Sequence, residues 1–328
     1  MALTGSAVRA IGTSLGFAAF DGTVWRVSAQ VTRRMPAPDR YSLAGSVSSL
    51  IAARQDPCVR LEGRDFWLAA RTPDGAATLH LARAGSDLLA TGHGPGAAWI
   101  VDRADAIAGL RDDLGDFPAR AARHPLIGRL AKTFAGVRMP ATGLMFHRLL
   151  RAVFEQKVTG REARRSYHLA VRHFGEPAPG PADLLLPPDA ANVAEVPYWV
   201  FHPFGVEQKR AQTLLRCAVV AGRLEACADA AEATRRLTAI PGVGVWTAAE
   251  VTRTTYGDPD AVSVGDYHIP NTVTWALAGE PRGTDERMLE LLEPFRGHRA
   301  RVCDLLAAAG IGAPRYGPRM PVRSFARF

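Results

Sequence analysis

The hydrophobic pattern of this chain changes period near residue 117. Upstream of that point the apolar residues follow a strand rhythm. Residues 59–71 have β-type composition and run into Thr72-Pro73-Asp74-Gly75, a strong turn signal. Residues 77–83 alternate as the returning strand of a hairpin would, and segments 16–27 and 88–100 are candidates for further strands of the same sheet. Residues 42–54 predict a short helix. No catalytic signature lies in this region.

Downstream the spacing becomes helical. Residues 147–158 carry a helical apolar pattern, and a second helix over 162–174 ends before the Pro/Gly-rich loop 175–180. Further helical patterns cover 207–221, 228–239, 246–255, 271–278, 285–292 and 299–309. The expected class is therefore α+β, with a small N-terminal antiparallel sheet domain (1–116) followed by an all-α domain (117–314). Residues 315–328 form a basic tail carrying Arg315, Arg319, Arg323 and Arg327 without an acidic residue. That tail reads as a solvated segment, with contact to DNA as the alternative. The sequence has no internal repeat.

At 328 residues the chain can bury one large core or two modest ones. A hydrophobic content of 47% with 22% charged residues places it among soluble globular proteins. The net charge of +8 favours an anionic partner such as nucleic acid. Its three lysines are Lys132, Lys157 and Lys209, so arginine supplies the basicity, through a fork of donors suited to phosphate. A GC-rich coding bias produces the same excess. The four cysteines (Cys58, Cys217, Cys227, Cys303) are scattered without metal-ligand spacing, which argues for reduced thiols and against a zinc or cluster site. Neither a signal peptide nor an apolar run of membrane-span length is evident, so a cytoplasmic, nucleoid-associated protein is expected.

Two segments carry candidate chemistry. In the first, Pro241-Gly242-Val243-Gly244 separates two helical patterns. Pro241 stops the first helix, and the two glycines bring backbone N–H groups within reach of a phosphate oxygen. The next helix adds the positive end of its dipole. A plain tight turn between packed helices is the competing explanation, which the flanking Leu237, Ile240, Trp246, Thr247 and Ala248 make less economical. In the second segment, Asp266 follows an apolar run and precedes a helix. It fits an N-cap, and a capped carboxylate is also suited to support the cationic sugar formed when an N-glycosidic bond breaks. The same group can orient or deprotonate the attacking water.

Together these segments resemble the helix-hairpin-helix DNA glycosylases of base-excision repair, and among them the monofunctional 3-methyladenine (alkylpurine) branch. Gln156-Lys157-Val158-Thr159, Phe204-Gly205 with Lys209-Arg210-Ala211, and Pro294-Phe295-Arg296 resemble further motifs of that family. The resemblance covers roughly residues 125–306 and implies a two-lobed helical domain behind a small sheet domain. It implies Asp266 as the catalytic residue and Trp246 at the position where bifunctional members carry a Schiff-base lysine. It also implies Gln156, Lys157, Thr159, Pro241, Gly242, Val243, Gly244, Thr247 and Arg296 as DNA-binding residues.

The implied activity flips a damaged, alkylated purine out of duplex DNA and hydrolyses its N-glycosidic bond, leaving an abasic site, without lyase chemistry. By alignment, Trp246, Glu250 and Asp304 fall on the base pocket. Trp246 as a core residue is the alternative. Tyr198 and Trp199, in the aromatic run before Phe204, either line the pocket or pack between lobes. Lys157 stands where relatives often carry an apolar wedge, and Glu250 and Asp304 replace aromatics. Those acids favour a cationic base or a different lesion (deaminated, oxidised or bulky). A non-catalytic hairpin protein that binds DNA by structure is the competing class. No cofactor, metal site or iron–sulfur cluster is implied, a monovalent cation at the hairpin being the one ion left open. The implied partner is damaged double-stranded DNA, with no membrane and no obligate protein partner.

Overall fold

The computed structural model describes residues 30–53 and 55–314. The candidate strand at 16–27 and the basic tail 315–328 lie outside the described residues.

Five antiparallel strands form one sheet in the order β1-β5-β4-β3-β2. They are β1 (Gln30–Pro36), β2 (Val59–Glu62), β3 (Asp65–Thr72), β4 (Gly75–Ala84) and β5 (Asp87–His93). Three tight hairpins join β2 to β5, and β1 closes the far edge against β5. The predicted strand 59–71 is in fact two strands. Gly63 adopts φ +59°, a left-handed turn conformation that reverses the chain and pairs Glu62 with Asp65. The predicted strand 88–100 likewise stops at His93. Beyond Gly94-Pro95-Gly96 the chain enters a helix, so only its first half pairs.

Helices follow as α1 (Leu43–Val47), within the predicted 42–54 segment, α2 (Ala97–Asp102), α3 (Ala104–Ile107), α4 (Phe117–Ala122) and α5 (Pro125–Thr133). Next come α6 (Met145–Glu155), α7 (Gly160–Phe174), α8 (Ala190–Glu195), α9 (Gln208–Val219), α10 (Ala221–Glu225), α11 (Ala230–Thr238) and α12 (Val245–Thr255). The last are α13 (Ile269–Ala278), α14 (Asp285–Leu292) and α15 (Arg299–Ala308). Local chemistry explains the boundaries that matter for the site. Thr159 and Glu162 form a reciprocal capping box that starts α7. Pro270 sits in the first turn of α13, where its missing N–H costs nothing. Gly279 ends that helix at φ +72°.

The helices divide between two cores. The larger joins the sheet to α6, α7 and α9–α12: Phe66, Leu68, Leu79 and Leu81 meet Leu149, Phe154, Phe201, Leu214 and Val251 in one buried cluster. Burying each Phe or Leu there contributes roughly 1.5–3 kcal/mol. The smaller core combines Phe117, Ile127 and Leu130 of α4 and α5 with Val273, Met288, Leu292, Val302 and Leu306 of α13–α15. That second lobe therefore draws on two chain segments, α4–α5 and α13–α15, with α6–α12 of the first between them. The sheet's other face is covered too, as Ala69 packs on Ala182, Leu184 and Leu186.

Candidate active site

The hairpin between α11 and α12 presents its tip to solvent. Pro241, Gly242 and Gly244 are exposed, whereas Val243 is buried and anchors the turn from below. Gly242 holds φ +98°, and a Cβ there would lie 2.1 Å from Thr213 Oγ1, so both conformation and space require glycine. Gly244 differs: its φ is −102° and nothing lies within 4 Å of a Cβ position. The first intrahelical bond of α12 runs from the Ala248 N–H to the Gly244 carbonyl. The N–H groups ahead of it form the positive end of the helix.

The α6–α7 loop is fastened to this hairpin. Gln156 Nε2 donates to the Gly242 carbonyl at 3.1 Å and to Thr247 Oγ1 at 2.9 Å. The neighbouring Lys157 is exposed and holds φ +53°, an unfavourable conformation for a side-chain-bearing residue. Thr159, expected on DNA, has its hydroxyl engaged with Glu162 in the α7 cap.

Asp266 lies at the head of α13 and is half-buried. Its Oδ1 accepts the N–H groups of His268 at 2.7 Å and Ile269 at 2.9 Å. Its Oδ2 accepts the indole Nε1–H of Trp246 at 3.0 Å. The N–H acceptance expected of a cap is thus present, but Asp266 makes it from two residues ahead of His268, the N-cap residue of α13, and the indole adds a third donor. Tyr267, next along the chain, is 80% exposed. The turn is held from behind, since the Asp266 N–H donates to the Ser263 carbonyl and the Gly265 N–H donates to Asp285.

Glu250 does not stand open on a pocket wall. Its carboxylate is buried, with Oε2 on Arg148 and Oε1 on Arg253 and Ser263 Oγ. Burial alone would raise its pKa, but the Arg253 and Arg148 guanidinium groups and the hydrogen bonds from Ser263 and Arg148 hold it down at about 2. Arg148 also pairs with Glu155 at 3.0 Å, and Arg253 extends the lattice toward Asp304 on α15 at 3.7 Å. Asp304 keeps 39% of its side chain exposed. Burial of its carboxyl raises the pKa, Arg253 opposes that, and Glu250 adds to it. Sequence reasoning missed Arg148 and Arg253. The available signal was arginine at core-facing positions of an amphipathic helix, since α6 buries Arg148 and Arg151 among Leu149, Leu150, Val153 and Phe154.

A cleft of about 1300 Å³ opens between α1 with residues 133–140 and α4, α5 and α15. Ser46, Phe117, Arg138, Arg301 and Asp304 are among the residues lining it. The remaining candidates sit apart. Residues 198–204 form a 3-10 turn that packs with α7 and α9, where Phe201 and Phe204 are buried and Tyr198 is partly covered. Trp199 is 59% exposed at the edge of that turn, in edge contact with Tyr198 at 5.3 Å. Arg296, on the second lobe, makes a two-point pair with Glu293 at 2.7 and 2.8 Å. Among the described residues, no group of three or more His, Cys, Asp or Glu side chains is arranged to hold a metal, and no helix is long and apolar enough to cross a membrane.

No protein-family model matches this sequence, and no curated protein matches it. The fold itself is shared with solved helix-hairpin-helix DNA glycosylases. A 3-methyladenine DNA glycosylase from Archaeoglobus fulgidus aligns with a TM-score of 0.71 at 15% identity, over 84% of this chain and 97% of that one. MBOgg1, solved with a low-affinity DNA ligand, gives 0.65 at 16% identity over 87% and 96%. The 8-oxoguanine glycosylase/lyase from Clostridium acetobutylicum, in its apo form, gives 0.64 at 13% identity over 86% and 98%.

Proposed function

From this glycosylase fold we propose that the chain is a monofunctional DNA glycosylase of base-excision repair, acting on an alkylated purine flipped out of duplex DNA. The observation that carries the reading is the Asp266 carboxylate, fixed at the head of α13 by two backbone N–H groups and by Trp246. An anion so held stabilises the oxocarbenium-like sugar as the N-glycosidic bond breaks, and it orients the water that attacks C1′. An alkylated purine leaves readily because it carries positive charge, so one carboxylate suffices without a strong general acid. The indole of Trp246 lacks a nucleophilic amine. No Schiff base forms there, and lyase chemistry is not expected.

The hairpin around Gly242 and Gly244 anchors the DNA backbone through N–H groups and the α12 dipole, which positions without reading sequence. Gln156 ties that anchor to the loop carrying Lys157, whose stem fills the stack vacated by the flipped nucleotide while its ammonium reaches phosphate. On this reading residues 117–314 are the glycosylase unit, 1–116 its supporting platform, and the protein works on DNA in the cytoplasm without a cofactor. Incubation with alkylated duplex DNA and measurement of released bases tests it, with Asp266→Asn as control. Release is expected from the wild type alone, and equal release by both proteins refutes the assignment of Asp266. Salt-sensitive duplex binding without any released base would favour a non-catalytic hairpin protein.

One observation favours a second reading, in which the lesion is oxidised, deaminated or bulky. Asp304, at a position where the resemblance implies an aromatic, is a partly exposed carboxylate 3.7 Å from Arg253, so it offers a polar group and not a stacking face. A panel of single-lesion oligonucleotides separates the two.

A further inference from the structure

Resting on the glycosylase reading, we infer that Trp246 is a positioning residue for Asp266, acting through its indole N–H as well as through its ring face. A carboxylate offers about four lone-pair directions, two on each oxygen. The His268 and Ile269 N–H groups occupy Oδ1, and the Trp246 Nε1–H takes one side of Oδ2 at 3.0 Å. One direction remains, on Oδ2, and it is the route by which Asp266 receives a proton from water. In that step the water oxygen bonds to C1′ and the C1′–N bond breaks, its electron pair leaving with the base. The water proton passes to Oδ2 and later to solvent. Trp246 selects which oxygen does this and fixes the carboxylate rotamer.

The identity of the donor matters. An indole N–H donates only, carries no charge and does not titrate in the working range, so it restrains the carboxylate without neutralising the anion that the sugar cation needs. Its position matters as well. Trp246 stands in the first turn of α12, directly after the hairpin, on a helix whose Ala248 and Val251 belong to the larger core, whereas Asp266 precedes α13, whose Val273 belongs to the smaller one. The bond therefore couples the backbone anchor to the reacting carboxylate across the two lobes. A purely stacking tryptophan needs no such contact.

Trp246→Phe separates the roles, because it keeps an aromatic face and deletes the N–H. The expected result is a single-turnover rate of base release lowered about 10- to 100-fold, the usual worth of a hydrogen bond to a charged group. Affinity for an uncleavable lesion-analogue duplex should stay within about threefold. An unchanged rate, or a lower rate matched by an equal loss of affinity for the uncleavable duplex, would overturn the inference in favour of stacking.

Should the Phe variant fail to fold, the wild type carries the test. In ¹⁵N-labelled protein at neutral pH the Trp246 indole N–H should resonate downfield, as one bonded to a carboxylate does, and move toward the free-indole position in Asp266→Asn. An indole resonance that does not respond to that substitution refutes the proposal. A wild type that releases no base from any lesion defeats the glycosylase reading, while the resonance test still reports on the bond.

Discussion

The Ser263 hydroxyl donates to Glu250 Oε1, and the carbonyl of the same serine accepts the Asp266 N–H at 3.2 Å. Ser263 is thus the link between a buried lattice of charges and the turn that carries the candidate catalytic carboxylate. Arg148 and Arg253 converge on Glu250 from α6 and α12, so the turn is referenced to the core of the larger lobe. Removing Glu250 leaves two guanidinium groups without their shared partner. Glu250→Ala should cost about 3–5 kcal/mol of unfolding free energy, measured by urea denaturation at neutral pH. A loss below about 1 kcal/mol would mean that water replaces the carboxylate at no penalty.

The same lattice sets an acid limit. The Glu250 carboxyl titrates near 2 when folded, against an ordinary value of 4.5. Its stabilisation is therefore complete above about 4.5 and drains away as pH falls toward 2. The wild type should lose urea resistance across that window more steeply than Glu250→Gln, which has no carboxyl to protonate. Parallel curves for the two proteins would assign the acid sensitivity to other carboxylates.

The hairpin glycines should respond differently to alanine. Gly242→Ala meets both a left-handed φ and Thr213 Oγ1 at 2.1 Å, so it should destabilise by at least about 1–3 kcal/mol and weaken duplex binding. Gly244→Ala has room and an ordinary φ, and should cost at most about 1 kcal/mol as a poorer helix cap. On the proposed clamp reading, its Cβ would stand between the backbone N–H groups and the phosphate, and duplex affinity should fall. Thermal midpoints paired with duplex affinities separate the two, and a Gly244→Ala protein with full affinity would remove the clamp assignment.

Lys157 stores strain at φ +53°. Lys157→Gly relieves it and should stabilise the fold by up to about 1 kcal/mol. The same change should weaken binding to lesion-containing duplex, because both stem and charge are gone. Tighter or equal DNA binding by the variant would show that the loop tip does not engage the duplex.

The helices were legible because their apolar periodicity is local: the pattern over 285–292 is α14 itself, and that over 299–309 is α15 to within a residue. The sheet was legible in composition but not in its breaks, since Gly63 acts as a turn only through the conformation it adopts. The hairpin and Asp266 stood out as candidates because glycine and a capping carboxylate leave marks in neighbouring residues. Glu250 was not legible as a lattice member. A buried carboxylate is recognised by its partners, and Arg148 lies 102 residues away in sequence. The Trp246 bond was hidden for the same reason, as an indole N–H finds its acceptor only when two lobes meet.

The discontinuous second lobe has a consequence during biosynthesis. Phe117, Ile127 and Leu130 emerge from the ribosome long before Val273, Met288, Leu292 and Val302, the residues that cover them. The larger core can assemble on the nascent chain while α4 and α5 remain uncovered. Contacts spanning so much sequence form slowly and late. Val302, Leu305 and Leu306 complete that core last, so a chain truncated before α15 would carry the α11–α12 hairpin intact beside an unfinished second lobe.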